Sequence, residues 1–139
     1  MHFLIYTSTA SPLMSDLKLT DLLAHSRIRN SNDELTGMLL YKDGSFMQVL
    51  EGEKQKVLST FSRIQKDTRH KDIFLLRERE MDGRNFDGWS MGFRSVKTLD
   101  LKNEPAFSQL SGELFSSRTY SDNPHIALKL LKSFHQNTR

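Results

Sequence analysis

Two polar side chains stand where the pattern of the chain calls for a core. Tyr6 lies in the middle of the apolar run FLIYTS at residues 3–8, and Gln48 lies within SFMQVLEG at residues 45–52. Side chains alternate along a strand, so Gln48 shares its face with Phe46 and Leu50, and Tyr6 shares its face with Leu4. A glutamine amide carries two donors and an acceptor, and each such group left unpaired inside a protein costs about 1 to 3 kcal/mol. Something polar therefore meets Gln48. Spacing alone leaves two candidates open: the phenol of Tyr6, in a core closed by a mutual hydrogen bond, or a bound group.

The other chemistry-bearing residues are less pointed. Asn30 ends a helical pattern, where Asn often caps in a left-handed conformation. Arg63 and Asp67 have the i, i+4 spacing of a solvated ion pair, and His70 after Arg69 reads as a surface histidine that could also touch an anion. Trp89 and Met91 share one face of the last strand, which fits a core pair as well as a contact to a ligand. The histidines at 2, 25, 70, 125 and 135 fall in separate elements without metal-ligand spacing. There is no G-x-G-x-x-G, Walker loop, G-x-S-x-G or H-E-x-x-H. Zero cysteines exclude disulfides, thiolate metal sites, cysteine nucleophiles and flavin photochemistry through a cysteinyl adduct, and are compatible with a reducing, cytoplasmic setting. Twenty basic residues against 17 acidic ones leave +3 with the signs interleaved, which is no nucleic-acid face. No apolar run approaches the ~20 residues of a membrane span, and no basic region precedes the first apolar run as in a signal peptide.

The elements that must position these groups fit one domain, since 139 residues are about the length of one. Residues 3–8 are apolar on both strand faces and predict a central strand covered on both sides. Residues 16–30 carry Leu19, Leu22, Leu23 and Ile28 at helical spacing after Pro12. Residues 35–41 and 45–51 flank Asp43-Gly44, the pair that suits a tight hairpin. Val57, Phe61 and Ile64 predict a helix over 53–67. Residues 73–81 read as a strand whose charges suit a sheet edge, and 91–96 as a last strand. The order βαββαββ is that of an α+β, ferredoxin-like, mixed five-stranded sheet with both helices on one face. Asn103 with Pro105, and Asn123 with Pro124, each open a further helix able to cover the opposite face.

Taken together these residues resemble the BLUF family, the blue-light sensors that use flavin. The match lies in ordered motifs: Y-T-S-T-A at 6–10, L-L-A-H-S-R-I-R-N at 22–30, L-T-G-M-L-L-Y at 35–41 and G-S-F-M-Q-V-L-E-G at 44–52. It continues with I-Q-K-D-T-R-H at 64–70 and F-D-G-W-S-M-G-F at 86–93. The resemblance implies a flavin, FAD or FMN, bound without a covalent bond between the two helices. It implies that Tyr6 is the photochemical electron and proton donor, and that Gln48 bridges it to the flavin. Asn30 would pair with the flavin edge, and Arg63, Asp67 and His70 would complete the cofactor site. Trp89 and Met91 would be the switch pair that transmits the signal, and no role falls to Arg29, since that position varies among relatives.

Residues 1–96 are then the sensor and 97–139 a helical extension too short for an output enzyme. The expectation is a photoreceptor that is not itself an enzyme, signalling to a partner protein or through its own homo-oligomer. Nucleic acid and membrane are not expected partners. A small ferredoxin-like enzyme of the acyl-phosphate hydrolase type is the alternative, but residues 8–12 lack the glycines of its anion loop. A light-independent oligomerisation or regulatory module is the third reading.

Overall fold

The structure is a computed structural model that describes residues 1–10, 16–42, 44–86 and 91–95. Its elements run β1 (His2–Ala10), α1 (Asp16–Asn32), β2 (Thr36–Lys42), β3 (Ser45–Gly52), α2 (Lys54–Lys66), β4 (His70–Glu80) and β5 (Gly92–Ser95). This is the expected order. The strands form one sheet in the order β4-β1-β3-β2-β5, with β5 parallel to β2 and the other neighbours antiparallel. The doubly apolar β1 lies inside the sheet, and the charged β4 lies at its edge, as their compositions predict.

Register places the chemistry. Tyr6 stands opposite Gln48 across the β1–β3 pair, and Gln48 stands opposite Leu39 across β3–β2. Lys42 pairs with Ser45, so the hairpin turn holds two residues, and Gly44 supplies the positive φ of 87° it needs. One face of the sheet carries Leu4, Tyr6, Leu39, Phe46 and Leu50 against Leu22 and Leu23 of α1 and Val57 and Phe61 of α2. On the other face Phe3, Ile5, Met38, Leu40, Met47 and Val49 are buried as well. The helices expected over 97–139 lie outside the described residues, as do Trp89 and Val96.

Several local expectations are corrected. Helix α1 runs two residues beyond Asn30, so Asn30 is helical, and the left-handed residue that ends the helix is Glu34 at φ 57°. Ile28 is 63% exposed rather than part of the buried stripe. The expected Arg63–Asp67 pair does not form. Arg63 reaches Asp33 on the α1 side at 3.6 Å, and Asp67 turns to Arg69. Strand β4 starts three residues early, because His70 already pairs with Ala10. Its register against β1 slips twice, either side of Tyr6 and Thr7, and Asp72 takes a φ of 50° at the second irregularity.

Candidate functional site

A cleft of about 580 Å³, open mouth included, lies between α1, α2 and the helix-bearing face of the sheet. Leu22, Leu39, Leu50 and Ile64 give it apolar walls, and Tyr6, Asn30, Gln48, Arg63, Asp67 and His70 all line it. The structure thus brings together six of the eight residues singled out in the sequence. Met91 adjoins them through Gln48. Trp89 lies outside the described residues.

At the floor, the Tyr6 hydroxyl donates to Gln48 Oε1, and Gln48 Nε2 donates to Met91 Sδ at 3.3 Å. All three residues are at least 94% buried. The mutual hydrogen bond expected between Tyr6 and Gln48 is formed: the amide's acceptor is satisfied by the phenol, while among the described residues its donors meet only a thioether, a weak acceptor. A stronger acceptor entering the cleft would win that amide. Burial, with the Asp67 charge adding to it, pushes the Tyr6 phenol far above its ordinary value, so the hydroxyl keeps its proton. The Tyr6 ring packs on Phe61 at 5.4 Å and meets the edge of His70 at 6.4 Å.

The charged part of the lining has an excess of positive groups, Arg29, Arg63 and Arg69 against Asp67. Asp67 is held by Arg69 through its backbone amide and a forked guanidinium contact, the shortest bond 2.6 Å. That hydrogen bonding keeps the Asp67 carboxyl below the usual carboxylate range against a smaller burial effect, and raises Arg69. Arg63 donates to Thr60 Oγ1 at 3.1 Å, and Asn30 is 3% exposed. Arg29 also lines the cleft. His70 is half-buried rather than free at the surface: its Nδ1 lies 2.8 Å from Ser8 Oγ, and its ring stacks at a tilt on Phe46 at 5.0 Å.

Burial lowers the His70 value, Asp67 partly offsets that, and Arg69 adds to the lowering. A histidine depressed in the folded state contributes stability that is whole above its unfolded value of about 6.5 and is lost as the pH falls towards the folded value. The thermal stability of the wild type is therefore expected to fall as the pH is lowered from about 7 through the unfolded histidine value of about 6.5. His70→Gln, which cannot charge, should show a smaller loss over the same interval; equal losses would remove His70 as the cause.

The donor set fits a planar heteroaromatic with carbonyl and ring-nitrogen edges: apolar walls, two buried amides that each donate and accept, and guanidinium groups towards the mouth. Among the described residues no cluster of His, Asp and Glu could hold a metal, and no helix is long and apolar enough to cross a membrane. Sequence reasoning missed Glu51, Arg84 and Arg27. Glu51 offered a signal, since it shares a strand face with Met47 and Val49 and is a carboxylate where an apolar side chain is expected.

Comparison with known proteins agrees with this geometry. The family profile described as sensors of blue-light using FAD, BLUF, matches residues 1–92. The chain belongs to the BLUF family. The flavin the cleft suits is thus the cofactor of its family, FAD or FMN. Photoactivated adenylate cyclase subunit alpha of Euglena gracilis is 35% identical over 121 residues, 84% of this chain and 12% of that protein. The chain therefore spans about an eighth of the length of that curated relative. Among solved structures, BlrB, a BLUF protein in its dark state, superposes with a TM-score of 0.77 at 25% identity, over 97% of this chain and 95% of that one. Klebsiella pneumoniae BlrP1 with FMN and cyclic diGMP superposes with a TM-score of 0.65 at 28% identity, over 88% of this chain and 35% of that one. The BLUF relatives share the ferredoxin-like α+β fold described above.

Proposed function

We propose that this BLUF chain senses blue light through the chain of contacts Tyr6–Gln48–Met91, and that this sequence of buried hydrogen bonds is the light-sensitive element. Asn30, Arg63, Asp67 and His70 hold the flavin in the cleft without a covalent bond, with Arg29 at its mouth. A flavin excited by blue light supplies an oxidant for a nearby phenol and a polar edge for an amide. The chain's own part is hydrogen-bond control. Tyr6 holds a proton at Oη and presents it to Gln48 Oε1. The Gln48 amide accepts there and donates at Nε2, so reversing it by rotation, or moving a proton from nitrogen to oxygen, exchanges donor and acceptor at both ends. Because its partner on the Nε2 side is a thioether, the rearrangement gives up little on that side. In a water-excluded site the new pattern must be accommodated by neighbours, and Met91 at the entrance to β5 is the first of them.

Residues 1–96 form the sensor in this reading, and 97–139 a helical extension. The module itself carries no enzymatic activity and is cytoplasmic, with output through Trp89, Met91 and the extension to a protein partner or to the assembly of several copies. The photochemical arrangement of Tyr6 with Gln48 carries the proposal. It is tested by purifying the full chain in darkness and recording its visible spectrum. The expected result is a flavin band that shifts to the red under blue light and returns in the dark. A colourless chain that takes up neither FAD nor FMN overturns it.

A further inference from the structure

A second polar cluster lies outside the cleft, on the opposite face of the sheet. Glu51 is fully buried at the end of β3, yet it is well supplied with donors. Its Oε1 accepts from the Phe86 amide at 2.7 Å and from Thr36 Oγ1 at 2.8 Å, and its Oε2 accepts from the Asn85 amide at 3.0 Å. Arg84 locks the same place from outside, donating to Thr36 Oγ1 at 2.8 Å, to the Glu51 carbonyl at 3.2 Å and to the Glu34 carbonyl at 2.7 Å. Two consecutive backbone amides are thereby tied to the ends of β2 and β3. Five residues further along stands Met91, whose carbonyl accepts from Arg27 Nε of α1 at 2.9 Å while its thioether receives the Gln48 amide. Asn85 and Phe86 on one side, and Met91 itself on the other, are thus each fastened by an ionisable side chain.

We propose that Glu51 and Arg27 are the two jaws of a clamp, one on the Asn85 and Phe86 amides and one on the Met91 carbonyl, and that both are positioning residues for the Met91 thioether. A methionine has three rotatable side-chain bonds and a weakly accepting sulfur, so its own contact with an amide does little to hold it in place. Its backbone must be held instead. Glu51 fixes the approach by charge-assisted bonds to two amides, and Arg27 fixes the carbonyl of Met91 itself. Arg27 also makes α1, which carries Asn30 into the cleft, a mechanical neighbour of the entrance to β5. The inference rests on the reading of Gln48 and Met91 given above.

The test uses the full chain as purified, with carbon-13-labelled methionine methyl groups, in darkness. Arg27 is exposed, so Arg27→Ala leaves the core intact. It is expected to move the Met91 methyl resonance towards the value of a solvated methionine while Met38 and Met47 stay in place. Arg27→Lys, which keeps a cationic donor, should restore most of the shift. Recovery of the flavin band after illumination re-forms the Met91 contact, so Arg27→Ala should slow it about threefold to tenfold, the range for one ordinary net hydrogen bond. Glu51→Gln can accept from only one of the two amides and turns an NH2 group towards the other. It should speed hydrogen exchange at Asn85 and Phe86 and move the Met91 methyl in the same direction. If Glu51→Gln does not fold, the Arg27 variants decide alone. An unmoved Met91 methyl in Arg27→Ala, or a moved methyl with unchanged recovery, overturns the clamp. A wild-type chain that binds no flavin overturns the reading of the cleft instead, and the methyl resonance then decides the clamp by itself.

Discussion

Tyr6→Phe is expected to keep the flavin band and to lose its reversible red shift under blue light. The substitution removes one oxygen and leaves the ring, so packing on Phe61 and the buried position inside β1 persist. The donor to Gln48 Oε1 disappears with it. Stability should change by only about 1 to 2 kcal/mol, the cost of leaving one buried acceptor short of a partner. The loss of response is by contrast complete, because the phenol is the proton-holding end of the relay. Burial, with the Asp67 charge adding to it, holds the phenol far above its ordinary range, so at neutral pH Tyr6 carries the proton this role needs. Gln48→Ala should give the same silent but flavin-loaded protein, since it severs the link from Tyr6 to Met91 at its centre. Absorption spectra before and after illumination decide both. A full-sized, reversible shift in either variant removes that residue from the photochemistry.

The parts of this site legible in the sequence are those governed by alternation and spacing. The parity of Tyr6 and Gln48 within apolar strands is enough to turn both side chains inward, and a two-residue Asp-Gly turn then sets the β2–β3 register opposite Leu39. Helix α2 is similarly readable, because Val57 and Phe61 leave one stripe for burial. The failures depend on where a helix ends or on partners distant in sequence. Arg63 and Asp67 have good helical spacing, but the helix ends at Lys66, so Asp67 leaves the helical path and finds Arg69, while Asp33 from the end of α1 takes up Arg63. Asn30 lies within the helix, two residues short of its end, and its buried side chain lines the cleft. His70 reads as a surface residue until β1 supplies Ser8, 62 residues earlier, and β3 supplies Phe46. Glu51 gives the same lesson with a stronger signal. A carboxylate on an apolar strand face demands donors, but only the fold shows that they are the amides of Asn85 and Phe86.

The largest loss of stability is expected from a methyl group. Gly37 lies in β2 opposite Leu50 of β3, and a Cβ built on it would stand 2.0 Å from the carbonyl oxygen of Val49. The obstacle is backbone, so no side chain can swing aside to admit it. Strands β2 and β3 would have to part by more than about 1 Å in the middle of the sheet, where rigid packing leaves no slack. Their hydrogen bonds would weaken together, and Leu39 and Gln48 would be carried off the register that forms the cleft floor. Gly37→Ala should therefore cost about 3 kcal/mol or more, a fall in thermal midpoint of roughly 10 °C, and should weaken flavin retention in parallel. Gly83→Ala is the matched control, since nothing lies within 4 Å of its added carbon. It should unfold within a degree or two of the wild type, a change of at most about 0.5 kcal/mol for a surface substitution. Equal midpoints for the two variants would mean that β2 and β3 do not approach as closely at Gly37 as the structure places them, and with that the geometry that sets Gln48 beneath the cleft would have to be redrawn.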